Sequence, residues 1–266
     1  MKVLVAGATG AVGKRLVPML VSAGHDVVAT TRSQPKAEQL RAQGSRAAIV
    51  DGLDRDGLIE AVKRAEPDVI VHQMTALAGL GSNLRRFDRN FAVTNRLRTE
   101  GTENMLAAAR QAAVPRLVAQ SYTGWPNIRA GGMVKAEQDG LDPDPPKAQR
   151  KSLQAIKELE QLLTAPSDIE GIVLRCGNLY GPGTGIEHGG ALLDLVAKRR
   201  FPIIGPGAGV WSFVHIDDAA AVTVAALDHG QSGVFNVVDD EPASVSTWLP
   251  YLAQAIGAKP PRRLPI

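Results

Sequence analysis

The sequence is poor in cysteine, in aromatic residues and in long apolar runs. Cys176 stands alone among 266 residues, which excludes an internal disulfide, and no Cys/His spacing suggests zinc. No window approaches the roughly 18 uninterrupted apolar residues that a membrane-spanning helix needs. The start, MKVLVAGATG, turns to glycine where a signal peptide would continue its apolar region, so the cytoplasm is the expected compartment.

An excess of charge of one sign is also missing. The 30 lysines and arginines against 27 acidic residues give a formal net charge of +3, which is too small to indicate a nucleic-acid partner. Arginines are nevertheless concentrated in LRRFDRN and NRLR, at Arg85, Arg86, Arg89, Arg96 and Arg98. This cluster either attracts an anionic ligand or forms a solvated helix face. Cys176 likewise has two interpretations, a small packing residue or a reactive thiol.

Apolar, β-rich runs alternate with helix-period segments over the first two-thirds of the chain. Strands are predicted at residues 2–6, 26–31, 46–50, 68–74, 116–121 and 171–176. Helical patterns lie between them, near residues 11–23, 35–43, 54–65, 84–113 and 150–165. Near-continuous apolar strands separated by helices are typical of a parallel sheet covered on both faces. The prediction is an α/β protein with a Rossmann-type, doubly wound parallel sheet.

The composition changes after Cys176. GNLYGPGTGIEHGG and PIIGPGAG are rich in glycine and proline and flank a predicted helix at 189–199. Further elements are predicted at VWSFVHI, 217–228, GVFNVV and 245–256. We therefore predict a nucleotide-binding Rossmann domain over residues 1–175. Residues 176–266 are predicted to form a smaller substrate-binding lobe, part of which returns to the sheet, at the carboxyl ends of the strands.

A glycine turn directly follows the first predicted strand. Glycine permits a tight turn and a close approach of the backbone to a pyrophosphate, whose charge then lies at a helix N-terminus. The segment AGATGAVG has this spacing between a strand and a helix, as a dinucleotide site requires. The predicted cofactor contacts in it are Gly7, Thr9, Gly10, Ala11, Val12 and Gly13.

The ends of the second and third strands indicate which dinucleotide binds. An NAD site usually has an acidic residue at the end of the second strand, whereas this chain has Thr31 and Arg32. Arg32 can pair with a 2′-phosphate and stack on adenine, so NADP(H) is predicted over NAD(H); the alternative is a solvated loop arginine. Asp51, Gly52 and Leu53 should lie near adenine. The Asp51 carboxylate either accepts from the exocyclic amine or caps the helix that follows.

These segments together resemble a known family, the extended and atypical short-chain dehydrogenases/reductases, often labelled NAD-dependent epimerase/dehydratase. The resemblance rests on GATGAVG, EGTENMLAAARQAAVPRLVAQS (100–121), LRCGNLYGPG (174–183), FVHIDDAA (213–220) and FNVVDDEP (235–242), and it covers nearly the whole chain. It implies a nicotinamide cofactor and a small-molecule substrate. It also makes a homodimer, formed through the helices at 84–113 and 150–165, a candidate assembly.

The resemblance further implies a nicotinamide and substrate site at the ends of the fourth, fifth and sixth strands. The residues expected to line it are Gln73, Met74, Thr75, Ser121, Tyr122, Thr123, Cys176, Asn178 and Leu179. Among them Ser121, Tyr122 and Thr123 occupy the place of the family's catalytic serine or threonine. His215 and Asp217 in FVHIDD are expected to be structural, with Asp217 capping the next helix.

The usual catalytic pair of this family is missing. Its chemistry needs a tyrosine and, four residues later on the same helix face, a lysine that lowers the phenol pKa and holds the ribose. None of the three tyrosines has such a lysine. Alignment of Glu160 with the family's helix glutamate places Ser152 and Ile156 in the two positions. A shift by one residue instead offers Lys157 as a candidate ribose contact.

Three functions therefore remain open. The first is an NADP(H)-dependent oxidoreductase acting on a small or hydrophobic carbonyl-type substrate, in which Tyr122 is either the proton donor or an apolar lid. The second is an epimerase or isomerase with a tightly bound cofactor. The third is a nucleotide-sensing protein without catalysis. The retained QSYTGWP segment and the glycine-rich loop favour an enzyme, and the short C-terminal lobe favours the first function.

Overall fold

The apolar runs of the sequence form a seven-stranded parallel sheet in the computed structural model, which describes residues 1–77 and 86–266. The strands are β1 (Lys2–Ala6), β2 (Asp26–Thr31), β3 (Arg46–Ile49), β4 (Val69–His72), β5 (Arg116–Tyr122), β6 (Glu170–Cys176), β7 (Asn178–Tyr180), β8 (Ile203–Ile204), β9 (Val210–Trp211), β10 (Phe213–His215), β11 (Gly233–Val237), β12 (Ala243–Ser244) and β13 (Arg263–Leu264). The order of the main sheet is β11-β6-β5-β4-β1-β2-β3.

Helices cover both faces of this sheet. They are α1 (Ala11–Ser22), α2 (Gln34–Ala42), α3 (Arg55–Ala65), α4 (Phe87–Asn90), α5 (Ala92–Arg98), α6 (Glu100–Gln111), α7 (Arg150–Thr164), α8 (Ala191–Ala197), α9 (Ile216–Ala225) and α10 (Val245–Ala255). Apolar residues of α1, α2 and α9 pack on one face, and those of α3, α6 and α7 pack on the other. The predicted doubly wound Rossmann-type fold is confirmed.

The strand order fixes where a ligand can bind. From β1 the chain moves outward to β2 and β3, and it then returns to β4 on the other side of β1 and continues to β5, β6 and β11. Loops that leave β1 and β4 therefore diverge, and a crevice opens between them at the carboxyl edge. The glycine turn after β1 and the segments after β4 and β5 all lie at this edge.

The C-terminal third contributes to the main sheet and also has a core of its own. Strand β11 pairs with β6, and α9 packs on α1, where Arg15 Nε lies 2.9 Å from the Asp217 carboxylate. A separate apolar cluster around Trp248 joins α8, α10 and β8. Of the residues that the structure describes, none lies in a helix with the length and hydropathy that crossing a membrane requires.

Two details of the sequence prediction are wrong. The helix predicted at 84–113 is three helices, α4, α5 and α6, and its first two residues lie outside the described residues. The chain leaves regular helical geometry at Phe91 and at Thr99, where the backbone dihedral angles depart from helical values. The cap of α9 is His215, whose Nδ1 accepts from the Asp217 backbone N–H, because the helix starts one residue before Asp217. Other boundaries shift by one to three residues.

Candidate nucleotide and substrate site

The glycine turn after β1 is packed so closely that side chains would not fit. Gly7 has a φ of +88°, and a Cβ atom there would lie 2.5 Å from the Gln73 carbonyl oxygen. A Cβ at Gly13 would lie 2.5 Å from the Gly7 carbonyl oxygen, and the Gly10 N–H donates to that same oxygen at 3.0 Å. The turn therefore presents bare backbone at the start of α1.

The N-terminus of α1 is open to an anion. Its N-cap, Gly10, has no side chain with which to satisfy the first N–H groups, and the first turn has no acidic residue. Thr9 and Ala11 are half-buried beside it, whereas Val12 points into the core. The arrangement matches a pyrophosphate in shape and in charge.

The adenine-side residues lie together at the ends of β2 and β3. Arg32 is mostly exposed, and its Nη1 lies 3.6 Å from the Asp51 carboxylate. Thr31 is buried, and its hydroxyl oxygen accepts from the Ser33 N–H. Asp51 also accepts from the Leu53 N–H at 3.0 Å.

Asp51 does not cap α3, so that alternative is wrong. The N-cap of α3 is Asp54, which accepts from the Gly57 N–H at 3.1 Å, because the chain makes a further turn between β3 and the helix. Gly52 lies buried in that turn, and a Cβ on it would overlap the Met74 sulfur.

The segment after β4 forms the next part of the crevice. The Gln73 backbone N–H donates to the Ala6 carbonyl, and its buried side-chain Oε1 has no hydrogen-bond partner among the described residues. Met74 is buried, whereas Thr75 is exposed. At the end of β4, burial lowers the pKa of His72 to about 4, so its ring is neutral; Nε2 contacts the Leu97 carbonyl at 3.2 Å.

Ser121, at the end of β5, belongs to a buried charged network. Its hydroxyl donates to Glu160 Oε1 of α7 at 2.8 Å. The Arg175 fork, from β6, donates to both Glu160 oxygens at 2.9 and 2.7 Å, and the Arg175 and Glu160 side chains are only 7% and 8% exposed. The hydroxyl proton of Ser121 is therefore held by α7.

Tyr122 and Asn178 form the adjacent polar contact. The Tyr122 phenol donates to Asn178 Oδ1 at 2.7 Å, and Asn178 Nδ2 donates to the Ser212 carbonyl. Burial raises the pKa of Tyr122 to about 12, and the charge of Arg98 opposes that rise. The phenol therefore keeps its proton throughout the physiological range. Thr123, one residue further along, is buried and accepts from the Asn127 side chain.

The remaining predicted residues of this region differ in exposure. Leu179 is half-buried in β7, which pairs with β10. Cys176 is buried in the core, and burial raises its pKa to about 12, so the thiol stays protonated. This supports the packing role for Cys176 rather than that of a reactive thiol.

Four aromatic rings form a wall beside Tyr122. Phe87 and Phe91 are stacked with ring centroids 4.3 Å apart, Trp125 meets Phe87 edge-on at 5.2 Å, and Tyr122 lies 6.4 Å from Trp125. We call these four residues the aromatic wall. It connects α4 with the end of β5.

Ser152, which the alignment on Glu160 assigns to the position of the family's tyrosine, lies in a hydrogen-bonded network. The Ser152 hydroxyl donates to Asp88 Oδ1 at 2.7 Å and accepts from Asn95 Nδ2 at 3.0 Å, and Ser152 is fully buried. Ile156 is buried in the core. Lys157 donates to the Asp142 carbonyl at 3.1 Å.

The arginine cluster divides into exposed members and one buried member. Arg86, Arg89 and Arg96 are exposed, and Arg96 pairs with Glu100 at 2.7 Å, whereas Arg85 lies outside the described residues. Arg98 is buried, with only 8% of its surface exposed. The sequence pattern alone did not separate it from the others.

Four residues of the site were not singled out from the sequence, namely His72, Asp88, Asn95 and Arg175. Arg175 had a detectable signal, because an arginine inside the apolar strand GIVLRC needs a buried partner. Asp88 and Asn95 act on α7 from about 60 residues away, and no local pattern indicates such a contact.

Comparisons with known proteins agree with this architecture. The sequence model of the NAD dependent epimerase/dehydratase family matches residues 3–238. A Streptomyces sp protein named 3-diazoavenalumate denitrifying reductase is 44% identical over the whole chain, which spans 84% of that protein. A Stigmatella aurantiaca protein named 4-hydroxy-2-methyl-3-oxo-4-farnesyl-3,4-dihydroquinoline-1-oxide ketoreductase is 27% identical over 97% of the chain and 74% of its own length.

A solved structure gives the same fold. The crystal structure of the Thermus thermophilus UDP-glucose 4-epimerase complex with NAD matches with a TM-score of 0.77 at 23% identity, and the match covers the whole chain and 86% of that protein. At this identity the likeness concerns the fold.

Proposed function

The chain belongs to the NAD dependent epimerase/dehydratase family, and from that premise we propose that it is an NADP(H)-dependent reductase of a small, hydrophobic substrate. The observation that carries the proposal is the burial of Ser152 and Ile156, which the sequence alignment on Glu160 assigns to the positions of the family's tyrosine and lysine. An epimerase has to take a proton from the substrate and return it, so it needs that pair most. Relatives named as reductases support the same choice.

A nicotinamide dinucleotide fits the residues that line the crevice. Gly7, Gly10 and Gly13 allow the turn to pack tightly, since side chains at Gly7 and Gly13 would collide with neighbouring backbone. The bare backbone at the N-terminus of α1 would then hold the pyrophosphate. The segment from Gln73 to Thr75 would line the nicotinamide end, where the buried Gln73 oxygen lacks a partner among the residues described. When bound, the reduced cofactor supplies a hydride, which is the two-electron reductant.

Arg32 supports NADP(H) over NAD(H). It is exposed at the end of β2 and offers a planar fork that suits a 2′-phosphate. Thr31, at the position where a NAD site has its carboxylate, carries no charge. Asp51, 3.6 Å from Arg32, can hold the guanidinium in place while its other oxygen accepts from the Leu53 N–H.

A carbonyl is one class of acceptor for which the site is suited. Its oxygen needs a proton as it is reduced, and Tyr122 is the phenol at the end of β5. The pKa of Tyr122 is about 12, so the phenol is protonated, and its O–H donates a hydrogen bond to Asn178. To transfer its proton, the phenol would have to leave Asn178 and bond the substrate oxygen instead. The relative named as a ketoreductase favours this class.

A diazo group is the second class, and the 44% identity to a diazoavenalumate denitrifying reductase favours it. Reduction of an aryl diazonium ion by two electrons, with loss of dinitrogen, places one hydrogen on carbon and consumes no proton from the protein. A site in which Ser152 and Ile156 replace the proton-donating pair is sufficient for that reaction. Tyr122 then acts as part of the aromatic wall.

Turnover of a substrate panel tests the proposal. The purified protein is mixed with NADPH or NADH and with aromatic and aliphatic ketones, aldehydes, enones and stable aryl diazonium salts, and oxidation of the cofactor is followed by its absorbance. We expect NADPH oxidation with at least one class above the rate without protein, and a preference for NADPH over NADH. Absence of NADPH binding in calorimetry, or NADPH binding without oxidation by any class, would refute the reductase.

The panel also separates the reductase from an epimerase. An epimerase would be purified with its cofactor bound, would consume none of the NADPH and would exchange substrate stereochemistry instead. Chromatography of the denatured protein reveals any retained dinucleotide. We expect none in stoichiometric amount.

A further inference from the structure

One buried charge at the site, that of Arg98, has no ion-pair partner among the described residues, although Tyr122 and Glu160 interact with it electrostatically. Among the described residues, four buried side chains other than histidine carry a charge, namely Arg98, Asp142, Glu160 and Arg175. The two carboxylates each have an arginine of their own, since Arg175 forks onto Glu160 and Arg129 lies 3.1 Å from Asp142.

Arg98 is the fourth of these buried charged side chains. Its Nη1 is buried and has no hydrogen-bond partner within residues 1–77 and 86–266. An unpaired charge in a protein interior is costly, so retention of one at a site indicates a ligand that completes it.

The position of Arg98 places this charge at the reactive end of the crevice. Its neighbour Leu97 contacts, through its carbonyl, the ring of His72, the last residue of β4. The Arg98 charge also acts on the pKa of His72 and on that of Tyr122, the last residue of β5. The guanidinium therefore lies near the ends of β4 and β5, and burial lowers its own pKa only to about 10, so it remains positive.

Asn95 extends the same polar feature. It lies one turn before Arg98 on α5, and its buried Oδ1 also lacks a partner among the described residues, while its Nδ2 is fixed on Ser152. Arg98 thus provides an unsatisfied donor and Asn95 an unsatisfied acceptor. Both residues are on α5, which follows Phe91 of the aromatic wall in the sequence. An aromatic surface and a buried cation without an ion-pair partner suit a planar molecule that carries one anionic oxygen.

We propose that Arg98 binds an anionic oxygen, such as a carboxylate or phenolate, of a flat apolar substrate that packs on the aromatic wall. The inference rests on the proposed function in one respect, that the substrate occupies the crevice at the ends of β4 and β5. Arg98 then selects acidic aromatic substrates over neutral ones of equal shape. The positive charge of Arg98 also compensates the negative charge of the substrate, which would otherwise be buried without a partner.

The test uses the full chain saturated with NADP⁺ and two probes of the same shape, 2-naphthoate and 2-naphthamide. Calorimetry on the wild-type complex should show binding of the anion at least about tenfold tighter than that of the amide, as expected for a buried charge-assisted hydrogen bond. Arg98→Met should remove this difference, and Arg98→Lys should keep part of it. Arg96→Met is the matched control, since Arg96 lies on the same helix but is exposed and paired with Glu100.

The Tm gives a second measurement, which distinguishes an arginine that binds a ligand from one that only stabilises the fold. Because Arg98→Met removes a buried charge that has no ion-pair partner among the described residues, its Tm should equal or exceed that of the wild type even though anion binding is lost. Equal affinity of the wild-type complex for the two probes would overturn the proposal without any variant. So would a lowered Tm of Arg98→Met together with unchanged binding of 2-naphthoate. Failure of NADP⁺ itself to bind would refute the proposed function instead, so the two failures are distinguishable.

Discussion

Asp88 Oδ1 accepts from both the backbone N–H and the hydroxyl of Ser152, at 2.8 and 2.7 Å. Its other oxygen accepts from the Lys151 N–H at 3.0 Å, so a carboxylate from α4 caps the first turn of α7. Gln149, the residue at the N-cap position, provides no side-chain cap. The start of α7 is therefore fixed by a contact between segments that are distant in the sequence.

Ser152→Ala should lower stability without abolishing turnover. The change removes a hydroxyl that bonds Asp88 and Asn95, and we expect the free energy of unfolding to fall by about 1 kcal/mol. The rate with the best substrate of the panel should remain within about twofold, since Ser152 is fully buried. Lys151→Ala, in the exposed neighbouring residue, is the control. A loss of turnover at unchanged stability would show that Ser152 takes part in the chemistry.

Tyr122→Phe should distinguish the two acceptor classes. With a carbonyl substrate, kcat/KM should fall by about 10²–10⁴ if the phenol donates the proton. With a diazonium substrate it should change little, because no proton from the protein is consumed. Tyr180→Phe, in β7, serves as the control. Undiminished turnover of a carbonyl by Tyr122→Phe would eliminate Tyr122 as the acid.

His72→Gln should remove part of the acid sensitivity of the fold. Burial lowers the pKa of His72 from 6.5 to about 4, so between these values the unfolded chain binds a proton that the folded chain does not. Stability therefore falls as the pH drops from 6.5 toward 4, by up to about 3 kcal/mol. Urea unfolding across this range should be less steep in pH for His72→Gln than for the wild type. His229→Gln, in an exposed residue, should keep the wild-type slope.

Arg32→Ala should change cofactor preference. The variant loses the fork that would meet the 2′-phosphate, and we expect NADPH to bind at least about tenfold more weakly while NADH binds as before. Fluorescence titration of both nucleotides measures the ratio. Arg46→Ala removes another exposed, ion-paired arginine, outside the crevice, and should leave the ratio unchanged. Equal loss for both nucleotides would contradict the 2′-phosphate contact.

Glu160→Gln should be the most destabilising of these changes. Removing the carboxylate leaves the buried Arg175 fork without its partner, and a buried pair that loses one member costs about 3–5 kcal/mol. Glu158→Gln, two residues earlier on the same helix, should stay within about 0.5 kcal/mol. Chemical denaturation of both variants measures the difference. Similar midpoints would show that the Glu160 pair contributes no more than a surface charge.

Local patterns predict the sheet and the glycine turn but not the contacts that fill the site. The strands and the spacing of Gly7, Gly10 and Gly13 could be identified because hydrophobic period and glycine geometry act over a few residues. The breaks of the predicted helix at Phe91 and Thr99 are changes in backbone dihedral angle that no residue pattern in the sequence indicates. Asp51 and Asp54 could each have been the N-cap of α3, and the sequence does not distinguish between them. In the structure the cap is Asp54.

Long-range pairing accounts for the rest. Nothing near Arg98 in the sequence distinguishes it from Arg96, because burial on α5 depends on how that helix packs against α7 and the sheet. Asp88 reaches Ser152 across 64 positions, a separation at which one sequence carries no geometric signal. The absence of a tyrosine with a lysine four residues later could be identified from the sequence, whereas the contacts of Ser152 with Asp88 and Asn95 could not.

The cap of α7 and the first ring of the aromatic wall are consecutive residues, Asp88 and Phe87, of one four-residue helix. A substitution that displaces the Phe87 ring would therefore act on the residue next to the cap of α7. Substitutions of Phe87 that are intended to widen the substrate range should therefore be combined with a new N-cap for α7, for example Gln149→Asp.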